Sequence, residues 1–231
     1  MENNQPRPLQ IAIDGPVGSG KGTLAVALAK ELHAIHIYTG GMYRALALAV
    51  KRRGVDINDE NAVFEVLQQS DIDLRIEGDS PLTRVFLNGE DVSNEIFFPE
   101  VSNSTPVVAA YKSVRHEMVN RQQAIARGRR GIIEGRDIAT HVIPDADLKV
   151  YLTATVEERA RRRFEQLKEK HVNISYDEVK KDVVERDEAD SNREHAPLAV
   201  QNDAFVVDTT TDTIEDTVRK VKEELVRRKL I

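Results

Sequence analysis

Cysteine is absent from the 231-residue sequence. Its absence excludes disulfides, thiolate nucleophiles and cysteine-ligated metals, and it suits a reducing cytoplasm. Long apolar runs are missing too: none approaches the ~18 to 20 residues that span a bilayer. The first ten residues, MENNQPRPLQ, lack the basic start and apolar stretch of a secretion signal. We therefore expect a cytoplasmic protein that does not bind membranes.

An excess of basic residues is also lacking. Lys and Arg total 33 against 39 Asp and Glu, a formal net charge of -6. Because a basic surface supplies most of the affinity for nucleic acids, we expect no nucleic-acid partner, and any anion site must be a local Arg or Lys cluster. His33 and His36 stand three apart without a carboxylate or third histidine at zinc-site spacing, which favours ordinary helix-end packing over a metal site.

Hydrophobic residues (40%) and charged residues (31%) suit a globular protein. Leu9 to Asp14 reads as a buried strand, and after a Gly-rich turn Leu24, Leu28 and Leu32 recur at helical spacing. The last helix is predicted over Ile214 to Leu230. Further apolar runs of strand length are Ile35 to Tyr38, Gly131 to Glu134, Leu148 to Leu152 and Phe205 to Val207. Five strands alternating with helices predict an α/β fold with a parallel sheet.

The pattern changes between Asp71 and Val92. The segments LRIE, RVFL and EDV read as short strands, and the Asn88-Gly89 pair between the last two is a strong hairpin signal. We expect a small antiparallel insertion that forms a secondary lobe over about 56–105.

The segment GPVGSGKGT fits the pattern G-x-x-x-x-G-K directly after a predicted strand. Its glycines let backbone N–H groups turn toward phosphate oxygens, the following helix directs its positive end there, and Lys21 adds a charge. A plain strand-to-helix turn would not require four glycines and a lysine at this spacing. Position 22 is glycine, which leaves the hydroxyl of Thr23 to help orient magnesium. The predicted nucleoside triphosphate site comprises Gly15, Pro16, Val17, Gly18, Ser19, Gly20, Lys21, Gly22 and Thr23.

A phosphate loop alone does not separate a kinase from a motor, a helicase or a switch. Arg44 follows a Gly-Gly turn by one helical turn, and Arg136 and Asp137 end a predicted strand at the sheet edge where α/β proteins bind ligands. The remaining candidates lie on predicted helices: Arg159, Arg161, Arg162 and Arg163 in one, and Arg186, Asp190 and Arg193 on one face of another.

Taken singly, these arginines are explained by exposed i, i+4 ion pairs such as Glu158 with Arg162 and Arg186 with Asp190. Taken with the phosphate loop, they favour phosphoryl transfer between two phosphates, since the shared charge needs several planar cationic donors.

At this point the chain resembles the bacterial cytidylate kinase (CMP/dCMP kinase) family, over nearly its whole length. The motifs that carry the resemblance are IAIDGPVGSGKGT, TGGMYRALAL, RVFLNGEDVS, the Val114-Arg115 pair, GRD, PDADLKVYL, ERARRR, ERDEADSNR and APL. It implies a P-loop NTPase-type α/β fold with a five-stranded parallel sheet of order 2-3-1-4-5. It also implies a core over 1–55, 106–155 and 195–231, an NMP-binding insertion over about 56–105 and an Arg-rich lid over about 156–194.

The resemblance implies ATP-dependent phosphorylation of CMP and dCMP by direct in-line transfer, in a monomer whose partners are small nucleotides. Mg²⁺ would be held mainly by nucleotide phosphates and water, with no metal ligand from the protein. The resemblance implies that ATP is bound by the phosphate loop and Arg162. CMP would be bound by Arg115, Arg136 and Asp137, its phosphate by Thr39 and Arg44, and Asp190 would lie near its ribose. Arg186 and Arg193 would reach the transferring or acceptor phosphate. Implied catalytic roles fall to Lys21, Arg159, Arg163, Arg186 and Arg193, and the lid arginines Arg159, Arg162 and Arg163 would close over ATP.

Four positions depart from the family pattern: Tyr38, Glu134, Ala139 and Pro106. Pro106 stands where a serine commonly assists base recognition, while the phosphate-handling residues are intact. A carboxylate such as Asp137 would accept from the cytosine amino group and repel uracil. Two alternatives stay open: a kinase for another acceptor, such as UMP or a small metabolite, and a nucleotide-gated binding protein without transfer activity.

Overall fold

The computed structural model describes residues 7–76, 83–169 and 172–231. Parts of the predicted core, insertion and lid that fall on 1–6, 77–82 and 170–171 lie outside the described residues, as does Glu77 of LRIE. The strands are β1 (Gln10–Asp14), β2 (Ile35–Tyr38), β3 (Ile72–Ile76), β4 (Thr83–Leu87), β5 (Glu90–Asp91), β6 (Gly131–Gly135), β7 (Leu148–Thr153) and β8 (Phe205–Asp208). The α-helices are α1 (Lys21–Glu31), α2 (Thr39–Arg52), α3 (Glu60–Gln68), α4 (Pro99–Ala110), α5 (Lys112–Ala126), α6 (Val156–Glu169), α7 (Tyr176–Asn192) and α8 (Ile214–Arg227).

Five parallel strands form the main sheet, in the order β2-β6-β1-β7-β8. Counted within this sheet alone, the strands stand in the order 2-3-1-4-5. The predicted α/β class and all five strands are confirmed, with ends that differ by one residue. Every residue of β1 and β6 is buried, because helices cover both faces of the sheet. This explains why the strands are continuous apolar runs in the sequence.

Two hydrophobic cores lie on opposite faces of the sheet. One contains α1 and α8 residues such as Leu24, Leu28 and Val221 packed on the strands. The other joins α2 to the insertion, with Leu46 and Val85 in the same buried cluster. The insertion therefore shares its core with the body of the protein. Among the described helices, none is long and apolar enough to cross a membrane.

The predicted antiparallel insertion is present as a three-stranded sheet of order β3-β4-β5. Asn88 and Gly89 connect β4 to β5, and both have positive φ angles, 52° and 82°. Such a turn matches the twist of the flanking strands, which is why this dipeptide predicts a hairpin. The expected boundary between 105 and 106 falls inside α4, which continues to Ala110.

Helices α6 and α7 follow β7 and carry the predicted arginines. Ser175 caps α7 through a reciprocal capping box with Glu178. The helix ends at Asn192, so the prediction that Arg193 shares the helix face of Arg186 and Asp190 is wrong. Arg193 is the capping residue and has extended backbone, with ψ 143°.

Candidate active site

The phosphate loop connects the carboxyl end of β1 to α1. Gly18 lies there with φ +76°, and a Cβ at this position would stand 2.8 Å from the backbone oxygen of Arg159. Arg159 is itself buried and donates to the carbonyl of Val17 (3.1 Å) and forms an ion pair with Asp187. The loop is therefore packed directly against the start of α6 and, through Asp187, linked to α7.

Gly18→Ala is expected to cost about 1–3 kcal/mol of folding free energy or more, because it adds a clash with backbone to positive-φ strain. Gly54→Ala is the matched control: its φ is +65°, but among the described residues no heavy atom lies within 4 Å of the added Cβ. Urea unfolding of both variants separates strain from clash. Equal losses of stability would contradict the close packing of the loop on α6.

Lys21 is the first residue of α1 and is buried. Its Nζ donates to the carbonyl of Pro16 at 2.7 Å, so the ammonium lies folded over the loop. Burial lowers the pKa of Lys21 to about 7, and the charge of Arg136 acts in the same direction. The lysine thus sits where an anion would restore its full positive charge.

A cavity opens at the carboxyl ends of the strands, between α2, α4 and α7. It brings together nine of the predicted residues, namely Lys21, Thr39, Arg44, Arg115, Arg136, Asp137, Arg186, Asp190 and Arg193. Tyr38, Gly40, Tyr43, Thr105, Pro106, Ala109, Glu134 and Gly135 complete its lining. We call this the acceptor cavity. Residues 100 or more positions apart in the sequence meet here because parallel strands end at one edge of the sheet.

One end of the acceptor cavity holds a buried ion pair between Arg115 and Asp137. Arg115 Nη1 also donates to the carbonyl of Ala109 at 2.9 Å. Arg193 Nη2 lies 3.9 Å from the second oxygen of Asp137. One buried carboxylate and two guanidinium groups offer an acceptor group and several donors, which suits recognition of a flat polar ring.

Asp190 lines the acceptor cavity and lies close to two of its arginines. Arg136 Nε donates to it at 2.7 Å, and Arg193 Nη1 lies 3.6 Å away. Burial would raise the pKa of Asp190, but the charge and hydrogen bond of Arg136 outweigh it and hold the pKa below its ordinary value. The i, i+4 pair of Arg186 with Asp190 considered from the sequence is absent from the described contacts. Arg186 Nε donates to Asp182 instead, at 2.9 Å.

Arg44 and Arg186, which line the cavity, form a cationic cluster with Arg163. Burial lowers the pKa of Arg163, and the charges of Arg186 and Arg44 lower it further. The buried Nε of Arg163 has no hydrogen-bond partner among the described residues. Such a cluster is unfavourable by itself and is relieved when an anion binds.

A second cavity lies on the other side of the phosphate loop, lined by Ser19, Gly20, Thr23, Arg162 and Thr209 among others. Arg162 donates to Thr209 Oγ1 at 3.0 Å and to Glu158 at 2.7 Å, so the predicted Glu158–Arg162 pair is confirmed. Arg161 and Arg162 both line this second cavity, whereas Arg159 and Arg163 are not among the described residues that line it.

Three groups escaped the sequence analysis. Glu134 is buried beside Lys21, and its Oε1 lies at hydrogen-bond distance, 2.9 Å, from His36 Nε2. The expected helix-end packing of His36 is wrong: it lies in β2, the strand predicted over Ile35 to Tyr38. Asp14 accepts from the N–H groups of Ile138 (2.9 Å) and Ala139 (2.8 Å), which anchors the turn after Asp137. For Glu134 and Asp14, the sequence feature that could have indicated a site role is an acidic residue at the end of a buried strand.

The third group is Ser102, whose hydroxyl accepts from Arg44 at 2.7 Å. It lies in α4, in a run of small polar residues that carried no recognisable motif. Pro106 from the same helix lines the acceptor cavity. Tyr38 stacks against the rings of His36 and Phe97, with centroids 6.4 and 6.2 Å away.

Comparison with known proteins gives one consistent result. The family model described as cytidylate kinase matches residues 11–227. The cytidylate kinase of Caldanaerobacter subterraneus is 46% identical over 217 residues, 94% of each chain. That of Leuconostoc mesenteroides is 43% identical over 212 residues, 92% of this chain and 94% of the other.

Solved structures show the same fold at low sequence identity. A gluconokinase from Sinorhizobium meliloti aligns with a TM-score of 0.51 and 12% identity, covering 96% of this chain and 94% of that one. The cytidylate kinases are far more similar in sequence, at 43–46% identity, and the family model matches residues 11–227. The chain belongs to the cytidylate kinase family.

Proposed function

We propose that the protein transfers the γ-phosphoryl group of ATP to CMP and dCMP, and releases ADP with CDP or dCDP. The observation that carries this proposal is the acceptor cavity. Lys21 of the phosphate loop lines the same cavity as the buried Arg115–Asp137 pair and the arginines between them. Family membership supports the reaction class.

ATP is proposed to bind with its phosphates on Gly15 to Thr23 and its nucleoside in the second cavity beside Arg162. Mg²⁺ fits this arrangement mainly through phosphate oxygens and water, because Thr23 offers a hydroxyl and the Asp14 carboxylate is already occupied by two backbone N–H groups. When bound, the ion neutralises phosphate charge. Lys21 would release the Pro16 carbonyl and turn to the phosphates.

CMP is proposed to place its base against Asp137 and Arg115. Asp137 would accept from the cytosine amino group and Arg115 would donate to ring acceptors. The phosphate would lie among Arg44, Arg136, Arg186 and Arg193, with Thr39 nearby and Asp190 toward the ribose. Thr39 donates its hydroxyl hydrogen to the Glu134 carbonyl at 2.7 Å, so the hydroxyl would have to turn from that carbonyl to donate to an ionised phosphate.

The transfer step needs little acid-base chemistry. A phosphate monoester has its second pKa near ~6, so the acceptor is already ionised at neutral pH. The γ-phosphorus forms a bond to the CMP phosphate oxygen as its bond to the ADP oxygen breaks. Lys21, Arg163, Arg186 and Arg193 would neutralise the charge spread over the transferring group, and Arg159 would hold the loop against α6.

The lobes serve this chemistry. We propose a core over 1–55, 106–155 and 195–231, an NMP-binding insertion over about 56–105, and a lid over about 156–194 that closes and excludes water. The protein would act on nucleotides as a monomer, without nucleic-acid partners.

The depressed pKa of Lys21 makes ATP binding depend on pH. Since that pKa is about 7 without ligand and bound phosphates raise it, binding above pH 7 takes up a proton and weakens as pH rises. Calorimetric titration with a non-hydrolysable ATP analogue at about pH 8, in buffers of different ionisation enthalpy, measures that uptake. Lys21→Ala should abolish it, and no uptake by the unaltered protein would contradict the assignment.

The function is tested by measuring ADP formation from MgATP with CMP, dCMP, UMP, AMP and shikimate at equal concentration, with a no-acceptor control. Preference for CMP or dCMP is the expected result. Turnover mainly with UMP or another acceptor would overturn the base assignment. ATP binding without turnover on any acceptor would overturn the transfer reaction itself.

A further inference from the structure

Ser102 contacts an arginine on each side of the acceptor cavity. Its side-chain oxygen accepts from Arg44 Nη1 of α2 at 2.7 Å, and its carbonyl oxygen accepts from Arg186 Nη2 of α7 at 3.4 Å. The residue itself is only 2% exposed. Through this one residue, helix α4 therefore connects Arg44 of α2 to Arg186 of the proposed lid.

The Ser102 carbonyl is available because of Pro106. In a regular helix this carbonyl would accept from the N–H four residues later, and proline has none. Pro106 lies at that position, inside α4. Pro106, which departs from the family pattern, thus leaves the Ser102 carbonyl free to accept from the Arg186 guanidinium.

The hydroxyl of Ser102 differs from those of its neighbours. Ser104 and Thr105 donate to carbonyls of their own helix, at 2.8 and 2.7 Å. The Ser102 hydroxyl donates to the Phe97 carbonyl, which precedes the helix, at 3.4 Å, and it accepts from Arg44. Arg44 is also held by the Ile96 carbonyl (3.1 Å) and lies over the Phe97 ring (5.2 Å to its centroid). These acceptors are neutral, so they orient Arg44 without cancelling its charge.

Neutral anchoring matters because Arg44, Arg163 and Arg186 repel one another. A carboxylate between Arg44 and Arg186 would compete with an incoming phosphate, whereas the Ser102 hydroxyl and carbonyl fix the direction of both guanidinium groups without adding a negative charge there. Arg186 has its carboxylate partner elsewhere, on its own helix: its Nε donates to Asp182 at 2.9 Å. We propose that Ser102 is a positioning residue that sets the separation of Arg44 and Arg186 for a phosphate bound between them. This inference rests on the proposed function and adds a residue that acts through both arginines.

The test compares Ser102→Ala with Ser104→Ala, which removes a hydroxyl from a half-buried site of the same helix that does not line the acceptor cavity. Kinetics with CMP and ATP and thermal unfolding are measured for both. Ser102→Ala should lower kcat/KM for CMP about tenfold, the loss of one hydrogen bond to a charged group, with KM for ATP and the melting temperature near those of Ser104→Ala.

A double-mutant cycle separates positioning from a general structural effect. In an Arg44→Ala background, Ser102→Ala should change kcat/KM for CMP by less than about twofold, because its partner is already gone. An additive tenfold loss, or a Ser102→Ala enzyme that matches Ser104→Ala, would overturn the role of the hydroxyl. If the unaltered protein does not phosphorylate CMP at all, the proposed function fails before this comparison begins.

The carbonyl contact is tested through Pro106→Ala, which restores an N–H opposite Ser102. We expect kcat with CMP to fall several-fold while the helix becomes more stable, since alanine replaces a helix-interior proline. Pro106 also lines the cavity, so the variant is repeated in an Arg186→Ala background. If the loss of kcat disappears in the Arg186→Ala background, it supports the contact between the Ser102 carbonyl and Arg186. If the loss persists unchanged, it arises from the altered cavity wall, and the proposed role of the carbonyl contact is overturned.

Discussion

Lys21→Ala is expected to lower kcat for CMP phosphorylation by at least ~10²–10³-fold, the cost of removing one preorganised charge from a transferring group. The ammonium is buried between the phosphate loop and the acceptor cavity, and alanine leaves no cation in its place. The fold should survive, since the folded protein already disfavours the charged form, as the pKa of about 7 shows.

The measurement is single-turnover ADP formation with saturating CMP, alongside thermal unfolding. Lys30→Ala is the matched control, because it removes an exposed lysine from the same helix α1. The control should turn over normally. A Lys21→Ala enzyme with a near-normal rate would remove the phosphate loop from the mechanism, and one that is unfolded would contradict the expected tolerance of the fold.

Asp137→Asn is expected to lower the CMP-to-UMP ratio of kcat/KM by about 10–100-fold, the discrimination that a specific contact to a base edge provides. The carboxylate accepts only, so it fits the amino group of cytosine and opposes the carbonyl of uracil. An amide can donate as well as accept, and it can therefore serve either base. The side chain also loses its charge, which leaves Arg115 buried without its ion-pair partner.

Loss of that partner predicts a second effect. Removing one member of a buried ion pair costs about 3–5 kcal/mol, so Asp137→Ala should be clearly less stable than Asp137→Asn, which keeps a hydrogen-bond acceptor. Asp145→Asn is the control for charge alone, since Asp145 lies on the surface beside Arg7. An unchanged CMP-to-UMP ratio in Asp137→Asn would mean that the base is recognised by other groups.

Local features were accessible from the sequence because their causes are contiguous. The phosphate loop needs its glycines and lysine at fixed spacing, and the Asn88-Gly89 turn needs two adjacent residues that adopt positive φ. The five buried strands were found because burial on both faces requires continuous apolar runs. The residue-by-residue site followed from the family resemblance, and the structure brings nine of those residues to one cavity.

Ion-pair partners were not accessible in the same way. The spacing of Arg186 and Asp190 predicts a mutual pair. Asp190 instead pairs with Arg136, which lies 54 positions away and directly follows β6. His36 lies in the predicted strand β2, but its partner Glu134 is 98 positions away in the sequence. In both cases the competing partner comes from a distant segment, so no local pattern contains it.

The sequence by itself determined the fold class and the triphosphate loop, since each depends on residue types repeated or spaced within short segments. The arginines taken together, and the family resemblance, indicated the kind of chemistry. Only the tertiary structure decided which charges are paired, which are buried and unbalanced, and that Ser102 lies between Arg44 and Arg186. Those properties depend on distances and burial created when separate helices and strands converge on one sheet edge.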